Sequence, residues 1–399
     1  MDVSDHDIHT VAQRLRRIRQ GRGKSLRVIA GLAGMSKSHL SQLERGECAL
    51  DRRSEIQALA KALNIAPSEL IGVPVPAPGD GRTEAAVRVM RGALMAVAYG
   101  RPAGQVLPVE VLRARVGATV AAHCRCGREE EVGAALPGLI RDVHTSIAAG
   151  RDVAELLDLA VLLHTEATLG WLRVAGAPLD LRSQAAVLAR QVAQDRDTPT
   201  ALGLAVWGGV YVLATAGAFD LARAELDGVS VPTTTPESMQ LAGTLALCRS
   251  FLAAAVAQPG DADTALAHAT ELAERTGEGN AYWMGFGPTN VGCWHIFAAL
   301  EVGDQERAIA IADGMRPGAL RVPKYQVYYW VNYGRALARV RGRRDEAALA
   351  LRRAERISPR HVQRDPLVRE TLSELVARSK QDAVGRELRA MAYRAGLPV

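Results

Sequence analysis

The arrangement of apolar and polar positions along the first seventy residues predicts a series of short amphipathic helices. Apolar residues recur at helical spacing in two stripes, Leu26, Ile29, Ala30 and Leu32 in the first and Leu40 and Leu43 in the second. Gly34 separates the stripes, where a helix must end and the backbone must turn sharply. We therefore predict two helices around a tight turn between 25 and 46, flanked by helices at about 11–20, 53–63 and 67–70.

The second of these two helices has an outward face rich in hydrogen-bonding and positively charged side chains. Ser25 and Ser36 are suited to cap the two helices, because a serine hydroxyl accepts a hydrogen bond from a free backbone N–H. The residues of the outward face are Lys37, Ser38, His39, Ser41, Gln42 and Arg45. Such a face suits a helix that enters the major groove of DNA, where base edges offer donors and acceptors.

The spacing of this motif resembles a known DNA-binding family. The sequence Ile-Ala, then Gly-Met-Ser, then Leu-Ser-x-Leu-Glu-x-Gly resembles the Cro/phage-repressor helix-turn-helix family, also called XRE-type. The resemblance covers residues 8–71 and implies a five-helix DNA-binding domain. Lys37, Ser38 and Gln42 fall on the family positions that face base edges, and Ser36 and Arg52 fall on positions that touch phosphates.

Other positions of the motif receive a role from the same resemblance or depart from it. Arg19 and Glu44 match a pair that ties the first helix to the recognition helix, and such a partly buried ion pair holds orientation more than it adds stability. Leu26 replaces the glutamine that many relatives carry after the N-cap, so its contact with the DNA backbone is not expected. Arg45 belongs to the DNA-binding face, and His39 either reaches a phosphate or is solvated.

The distribution of charge supports a nucleic-acid partner for this segment. Residues 10–53 contain eleven arginines and lysines and three acidic residues, whereas the whole chain of 399 residues carries a net charge of only +6. Positive charge is therefore concentrated where a phosphate backbone would lie. Double-stranded DNA, in the form of a palindromic operator, is the expected partner.

The remainder of the chain is predicted to be a second, helical domain. Residues 72–82, GVPVPAPGDGR, contain three prolines and three glycines and cannot continue a helix, so they are predicted to form a linker. Helices are expected at about 83–99, 108–123 and 129–149. The fold class is therefore all-α, with residues 83–399 forming a helical-repeat domain that senses a signal and dimerises.

A recurrent glycine and alanine pattern predicts stacked helix pairs. A glycine that ends one helix is followed five residues later by an alanine that enters the next, in the pairs Gly217/Ala222, Gly260/Ala265, Gly303/Ala308 and Gly342/Ala347. The last unit, which Pro359 closes, resembles the second half of a tetratricopeptide repeat (TPR). We expect a TPR-like α-solenoid over about 129–396, capped by two helices at about 366–380 and 382–395.

The aromatic residues of the chain are concentrated in one part of this array. Ten of the 17 aromatic residues lie between 282 and 333, among polar residues that include two asparagines on the first helices of adjacent repeats. Amides bind peptide backbones and aromatic rings hold apolar groups, so the candidate ligand residues are Trp283, Phe286, Asn290, Trp294, Tyr329, Asn332 and Tyr333. The alternative is that these rings fill the core of the repeats.

Several other classes of site find no support in the sequence. Cys124 and Cys126 would point about 200° apart on a helix, so no metal site is predicted. The chain has no glycine-rich phosphate loop, no Gly-x-Ser-x-Gly and no His-Glu-x-x-His, so we expect neither an enzyme nor a bound cofactor. The acidic N-terminus, the scattered cysteines and the lack of an apolar run of about 18 residues predict a cytoplasmic protein outside the membrane.

These observations together predict a bacterial, cytoplasmic transcriptional regulator that binds DNA as a homodimer. Its architecture resembles that of peptide-sensing regulators, which join a repressor-type helix-turn-helix to a TPR array. The repeats are expected to bind a peptide or a small molecule. The alternative is that they form a scaffold for a protein partner, without any small ligand.

Overall fold

The computed structural model describes residues 11–71 and 81–397, which contain helices, turns and loops and no strand. The predicted all-α fold is therefore confirmed for the described part of the chain. Positions 8–10 of the predicted DNA-binding domain, 72–80 of the predicted linker and 398–399 lie outside it. The last two positions of the predicted linker, Gly81 and Arg82, belong to a helix.

The first five helices form the helix-turn-helix domain. Their inward side chains share one apolar core around Leu15, Ile29, Leu40 and Leu59. Leu367, from near the other end of the chain, joins this core. The helices are α1 (Val11–Gly21), α2 (Leu26–Leu32), α3 (Lys37–Arg45), α4 (Arg53–Leu63) and α5 (Pro67–Ile71).

The second region is a succession of antiparallel helix pairs. The helices of its first half are α6 (Gly81–Ala98), α7 (Val109–Arg125), α8 (Glu129–Ala148), α9 (Val153–Leu162), α10 (Leu169–Val174), α11 (Leu179–Arg196), α12 (Pro199–Ala216), α13 (Phe219–Asp227) and α14 (Pro236–Ala255). A π-helical turn, Leu163–Thr168, joins α9 to α10. Neighbouring helices α11 and α12 pack along their length, as α14 does with the helix that follows it.

The second half of the region continues the same pattern of pairs. Its helices are α15 (Pro259–Thr276), α16 (Pro288–Glu301), α17 (Gln305–Asp313), α18 (Pro323–Arg339), α19 (Arg344–Ile357), α20 (Pro359–Arg364), α21 (Pro366–Ala377) and α22 (Ala383–Arg394). Two short 3-10 helices, Ala281–Trp283 and Pro317–Ala319, lie in the connections before α16 and α18. The region is therefore repeat-like, as the glycine and alanine pattern predicts.

In three of the four predicted pairs, the glycine is left-handed at the end of a helix and the alanine is buried in the next helix. Gly303 has a left-handed φ of 78° between α16 and α17, and Ala308 is fully buried five residues later. Gly260 is different, because it lies inside α15. The left-handed residue before α15 is Ala257, with φ 59°, and the buried alanine is Ala262. The Gly260/Ala265 assignment is thus wrong by three residues, because here an alanine takes the conformation that glycine adopts more readily.

One helix of the described chain, α12, is long and apolar enough to cross a membrane by length and composition alone. Half of the residues of this helix are buried in the protein. Its neighbours are α11, α13 and α14, with which it packs in the core of the first half. The helix therefore has the character of a core helix of the repeat region.

Candidate nucleic-acid interface

The geometry of α2, the turn and α3 follows from local interactions of the sequence. The Ser25 hydroxyl accepts a hydrogen bond from the Val28 amide at 3.3 Å, and the Ser36 hydroxyl accepts one from the His39 amide at 3.0 Å. Gly34 has a φ of 66°, which a residue with a Cβ rarely adopts. The two caps and the turn fix the start of α3 relative to α2.

The outward face of α3 is available to a partner. Leu40 and Leu43 are buried beneath it, whereas Lys37, Ser38 and Gln42 are exposed. Within the described residues, the Lys37 and Gln42 side chains have no hydrogen-bonding partner. An exposed face of this kind retains its donors and acceptors for base edges.

The structure brings Arg19 and Glu44 into direct contact. The Arg19 Nε atom donates to Glu44 Oε1 at 2.5 Å, and a second guanidinium nitrogen donates to Glu44 Oε2 at 2.8 Å. Glu44 is buried, and Arg19 also donates to the Lys24 carbonyl at 2.8 Å. This bidentate pair joins α1 to α3, so it fixes the orientation of the exposed face.

Three other predicted DNA-binding residues are held by carboxylates. His39 Nε2 lies 3.0 Å from Glu55 Oε1, and Arg52 forms an ion pair with the same carboxylate. Arg45 donates to Glu47 Oε1 at 2.5 Å and to the Ser41 hydroxyl at 2.6 Å. A phosphate would have to compete with Glu47 or Glu55 for these side chains, whereas Lys37 and Gln42 have no such competitor in the described chain.

The helix-turn-helix domain is docked on the repeat region through the start of α4. The Arg53 amide donates to Glu301 Oε2 at 2.7 Å, and the Arg53 guanidinium donates to Glu301 Oε1 at 3.0 Å. The guanidinium also lies over the rings of Phe251 and Phe297, 5.4 and 4.8 Å from their centroids. Cation–π contacts of this kind add to an ion pair in a partly desolvated site.

A second set of docking contacts surrounds Asp51, just before α4. Arg335 donates to the Asp51 carbonyl at 2.8 Å, and an Arg339 guanidinium nitrogen lies 2.8 Å from Asp51 Oδ2. Burial would raise the pKa of Asp51, but the positive charges of Arg335 and Arg339 hold it below its ordinary value. Arg378 extends the network by donating to the Glu47 carbonyl at 3.0 Å. No sequence signal pointed to these residues, because they are far apart in the chain.

The predicted ligand residues lie in several environments. Phe286, Asn290 and Tyr329 are buried, while Trp283, Trp294, Asn332 and Tyr333 are half-buried. Their polar atoms are engaged as follows: Asn290 Nδ2 donates to the Gly285 carbonyl at 3.0 Å, Tyr329 donates to the Ala312 carbonyl at 2.9 Å, Tyr333 donates to Asp313 Oδ1 at 2.6 Å, and Asn332 Oδ1 accepts from Arg335 at 2.9 Å. Asn332 thus contacts the arginine that holds Asp51 of the helix-turn-helix domain.

Comparison with known proteins bears on the first of the two regions. No curated protein matches the chain. One solved structure, the apo form of the competence regulator ComR from Streptococcus vestibularis, aligns over 97% of this chain and 98% of that chain, at 13% identity and a TM-score of 0.23. A likeness at this level carries no argument about fold or function. Residues 10–70 match the family model of a helix-turn-helix domain, which supports a DNA-binding transcriptional regulator.

Proposed function

We propose that this protein is a sequence-specific transcriptional regulator of the bacterial cytoplasm, which binds its operator as a homodimer through α3. The observation that carries the proposal is the exposed face of α3, where Lys37, Ser38 and Gln42 are presented on a helix that the Arg19–Glu44 pair holds in place. A glutamine can make two hydrogen bonds to the major-groove edge of adenine. The surrounding arginines and lysines would bind the phosphate backbone.

The homodimer follows from the geometry of DNA recognition. A domain of this size reads a half-site of a few base pairs, and two copies about one helical turn apart supply useful affinity. A two-fold dimer implies a palindromic operator. The TPR-like repeat region is the part of the chain that we assign to dimerisation.

The repeat region is also proposed to sense a small effector or a peptide. Four of the predicted ligand residues, Trp283, Trp294, Asn332 and Tyr333, are half-buried, which leaves part of each side chain accessible. Asn332 hydrogen bonds to Arg335, and Arg335 hydrogen bonds to the carbonyl of Asp51. A ligand that moved Asn332 would therefore act on the docking of the helix-turn-helix domain and on the spacing of the two domains in the dimer.

The test is recovery of genomic DNA fragments by the purified full chain, compared between the natural protein and Gln42→Ala. We expect a palindromic motif, and a loss of about 1–3 kcal/mol in binding to it when Gln42 is replaced, with relaxed preference at one base pair. Lys61→Ala is the matched control, because Lys61 is exposed on the last turn of α4 in the same domain. Binding should then be unchanged.

Two outcomes would contradict the proposal. Equal losses on operator and random DNA would make Gln42 a phosphate contact, and the absence of any enriched motif would remove the sequence-specific role. Repeating the recovery with native cell extract, before and after filtration to remove macromolecules, tests the sensing role. A response only to the macromolecular fraction would favour a protein partner over a small effector.

A further inference from the structure

The repeat region contains a second polar cluster, at the place where its two ends meet. Helices α7 and α10, from the first half, contact α18 and α20, from the second half. The polar groups brought together there include Ser358, whose hydroxyl oxygen lies 3.4 Å from Glu129 Oε1, and Lys324, whose Nζ donates to Glu166 Oε2 at 2.5 Å. The array therefore closes on itself, and side chains distant in sequence face one another across the closure.

Two arginines of this cluster have no ion-pair partner among the described residues. Lys324 is buried and paired with Glu166, on the π-helical turn. Arg173 on α10 and Arg182 on α11 have no carboxylate within ion-pair distance in the described residues, and the Arg182 Nε atom is buried without a hydrogen-bonding partner there. Both guanidinium groups therefore lack a paired carboxylate, whereas Lys324 is neutralised by Glu166 and the charge of Asp365 acts on Arg173 without an ion pair.

The positions of Arg173 and its neighbours point to a site open to a ligand. The Arg173 side chain is exposed although the residues flanking it, Leu172 and Val174, are buried. Its guanidinium hydrogen bonds to the Tyr328 hydroxyl and lies 5.4 Å from the centroid of the Tyr328 ring. The guanidinium is thus oriented by a residue of α18, yet remains accessible to solvent.

Aromatic rings surround the charged groups. The Tyr328 ring centroid lies 6.2 Å from that of Tyr325 and 6.1 Å from that of His361. The Lys324 Nζ atom lies 5.8 Å from the centroid of Trp207 and 5.2 Å from that of Tyr325. Rings around a few polar groups are typical of the walls of small-molecule sites.

His361 adds an unused hydrogen-bond donor. Its Nδ1 lies 2.6 Å from the Ser358 hydroxyl, which is closer than Glu129, so the hydroxyl donates to Nδ1 and the neutral ring carries its proton on Nε2. The Nε2 atom is buried and has no partner among the described residues. Burial, together with the charges of Arg173 and Lys324, lowers the pKa of His361 to about 3, so the ring is neutral. Burial and the neighbouring charge of Arg173 also lower the pKa of Arg182 to about 10. Burial is the larger cause of both shifts, and the neighbouring positive charge adds to each.

We propose that Arg173, Arg182 and His361, with the rings of Tyr328 and Tyr325, bind the carboxylate group of the effector. The inference rests on the proposed sensing function and names the chemistry of its ligand. A planar guanidinium forms two parallel hydrogen bonds with a carboxylate, and the rings would hold the apolar part of the same molecule. The carboxylate can belong to the C-terminus of a short peptide or to a small organic acid.

The site is connected to the DNA-binding domain by one helix. Helix α18 carries Lys324 and Tyr328 in its first half, and Asn332 and Arg335 in its second half. A carboxylate that engaged Arg173 would change the partner of Tyr328, and a displacement of α18 would reach the Arg335 contact with Asp51. The ligand site and the docking contacts would then share a rigid element.

The test uses equilibrium dialysis of the full chain with three probes. The probes are a pool of short random peptides with free C-terminal carboxylates, the same pool with C-terminal amides, and phenylacetate as a free organic acid. We expect retention of a carboxylate probe and no retention of the amides. Binding of peptides alone identifies a peptide terminus as the source, and binding of phenylacetate alone identifies an organic acid.

Variants separate this site from non-specific binding of anions. Arg173→Gln and Arg182→Gln should each weaken the retained probe about tenfold or more, since each removes a charge-assisted hydrogen bond. Arg173→Lys keeps the charge without the planar fork and should be intermediate. Arg196→Gln is the control, because Arg196 lies on α11 with Arg182 but pairs with Asp158 at 2.9 Å. Should Arg173→Gln fail to fold, Arg182→Gln carries the test.

Three results would overturn the proposal. The first is equal retention of acids and amides, and the second is retention of no carboxylate probe. The third is equal affinity of Arg173→Gln, Arg182→Gln and Arg196→Gln for the retained probe. Operator affinity with and without the bound probe separates this inference from the proposed function. A bound carboxylate that leaves DNA binding unchanged would keep the site and remove its role as an effector site.

Discussion

The helix-turn-helix domain carries charged and polar side chains on two surfaces, and the two differ in what surrounds them. On α3, Lys37 and Gln42 are exposed and have no partner in the described chain. On the surface that packs against the repeat region, Asp51 and Arg53 meet Arg335 and Glu301 at hydrogen-bonding distance. The first surface is open to a partner molecule, while the second already has its partner within the chain.

This difference indicates which replacements change DNA binding and which change the structure. Removing an exposed side chain costs little folding free energy, so its effect should be confined to the bound complex. Removing one member of a buried ion pair leaves the other charge desolvated and uncompensated. The docked surface should therefore respond in stability, and the α3 surface in affinity.

The largest expected effect comes from Arg335→Ala. Arg335 is 2% exposed and joins Asn332 to the carbonyl of Asp51. Without it, Asp51 keeps the ion pair with Arg339 but loses its most buried counter-charge, so we expect the free energy of unfolding to fall by about 3–5 kcal/mol. Urea denaturation measures the loss, and hydrogen exchange in α4 should become faster if the domain undocks.

The control for this replacement is Arg341→Ala. Arg341 is exposed and lies just beyond the end of α18, so its removal should change stability by less than about 0.5 kcal/mol. If Arg335→Ala were as stable as Arg341→Ala, with α4 equally protected, the docked surface would contribute no more than an ordinary exposed surface. The comparison between the two surfaces would then fail.

A smaller effect should appear in the pH dependence of stability. Burial raises the pKa of Glu370, on α21, to about 7. The charge of Asp51 also raises this pKa, whereas the hydrogen bond with the Leu50 backbone and the charges of Arg339 and Arg14 lower it. Between about pH 4.5 and pH 7, Glu370 is protonated in the folded protein and ionised in the unfolded chain. The folded state binds the extra proton, so the free energy of unfolding decreases as the pH rises through this range. The loss is up to about 3 kcal/mol.

Glu370→Gln isolates this contribution from other titrating groups. The glutamine cannot ionise, so the variant should gain stability relative to the natural protein between pH 5 and pH 8. Urea denaturation across that range measures the difference, with Glu306→Gln on α17 as an exposed control. Parallel pH profiles for Glu370→Gln and the natural protein would show that Glu370 ionises normally at the docked surface.

How far the sequence predicted this structure differs between the two regions. The two helices and the turn around Gly34 depend on caps and spacing within about twenty residues, which are local signals. The contact between Asp51 and Arg335 joins residues 284 positions apart. Neither residue belongs to a motif, so nothing in the sequence identified the docked surface or the Arg53–Glu301 pair.

Local signals also had limits inside the repeat region. The glycine and alanine spacing predicts a turn at Gly260, but Ala257 occupies the left-handed position. The concentration of aromatic residues between 282 and 333 is compatible with a ligand site and with core packing, and rings such as Phe286 are buried in the core. Arg173 belongs to no sequence pattern, because its contact with Tyr328 depends on closure of the array.

The smallest expected effect, and the one that sharpens the comparison, concerns Arg52 between the two surfaces. Its side chain is half-buried and pairs with Glu55, and it lies close to Gly303 of the repeat region. If Arg52 also neutralises a phosphate, Arg52→Ala should weaken binding to all DNA sequences and reduce the slope of log affinity against log salt by about one. Salt titrations of operator and random DNA measure this slope, with Lys61→Ala again as the control. An unchanged slope would assign Arg52 to the docked surface, so that the DNA-binding surface would end at α3.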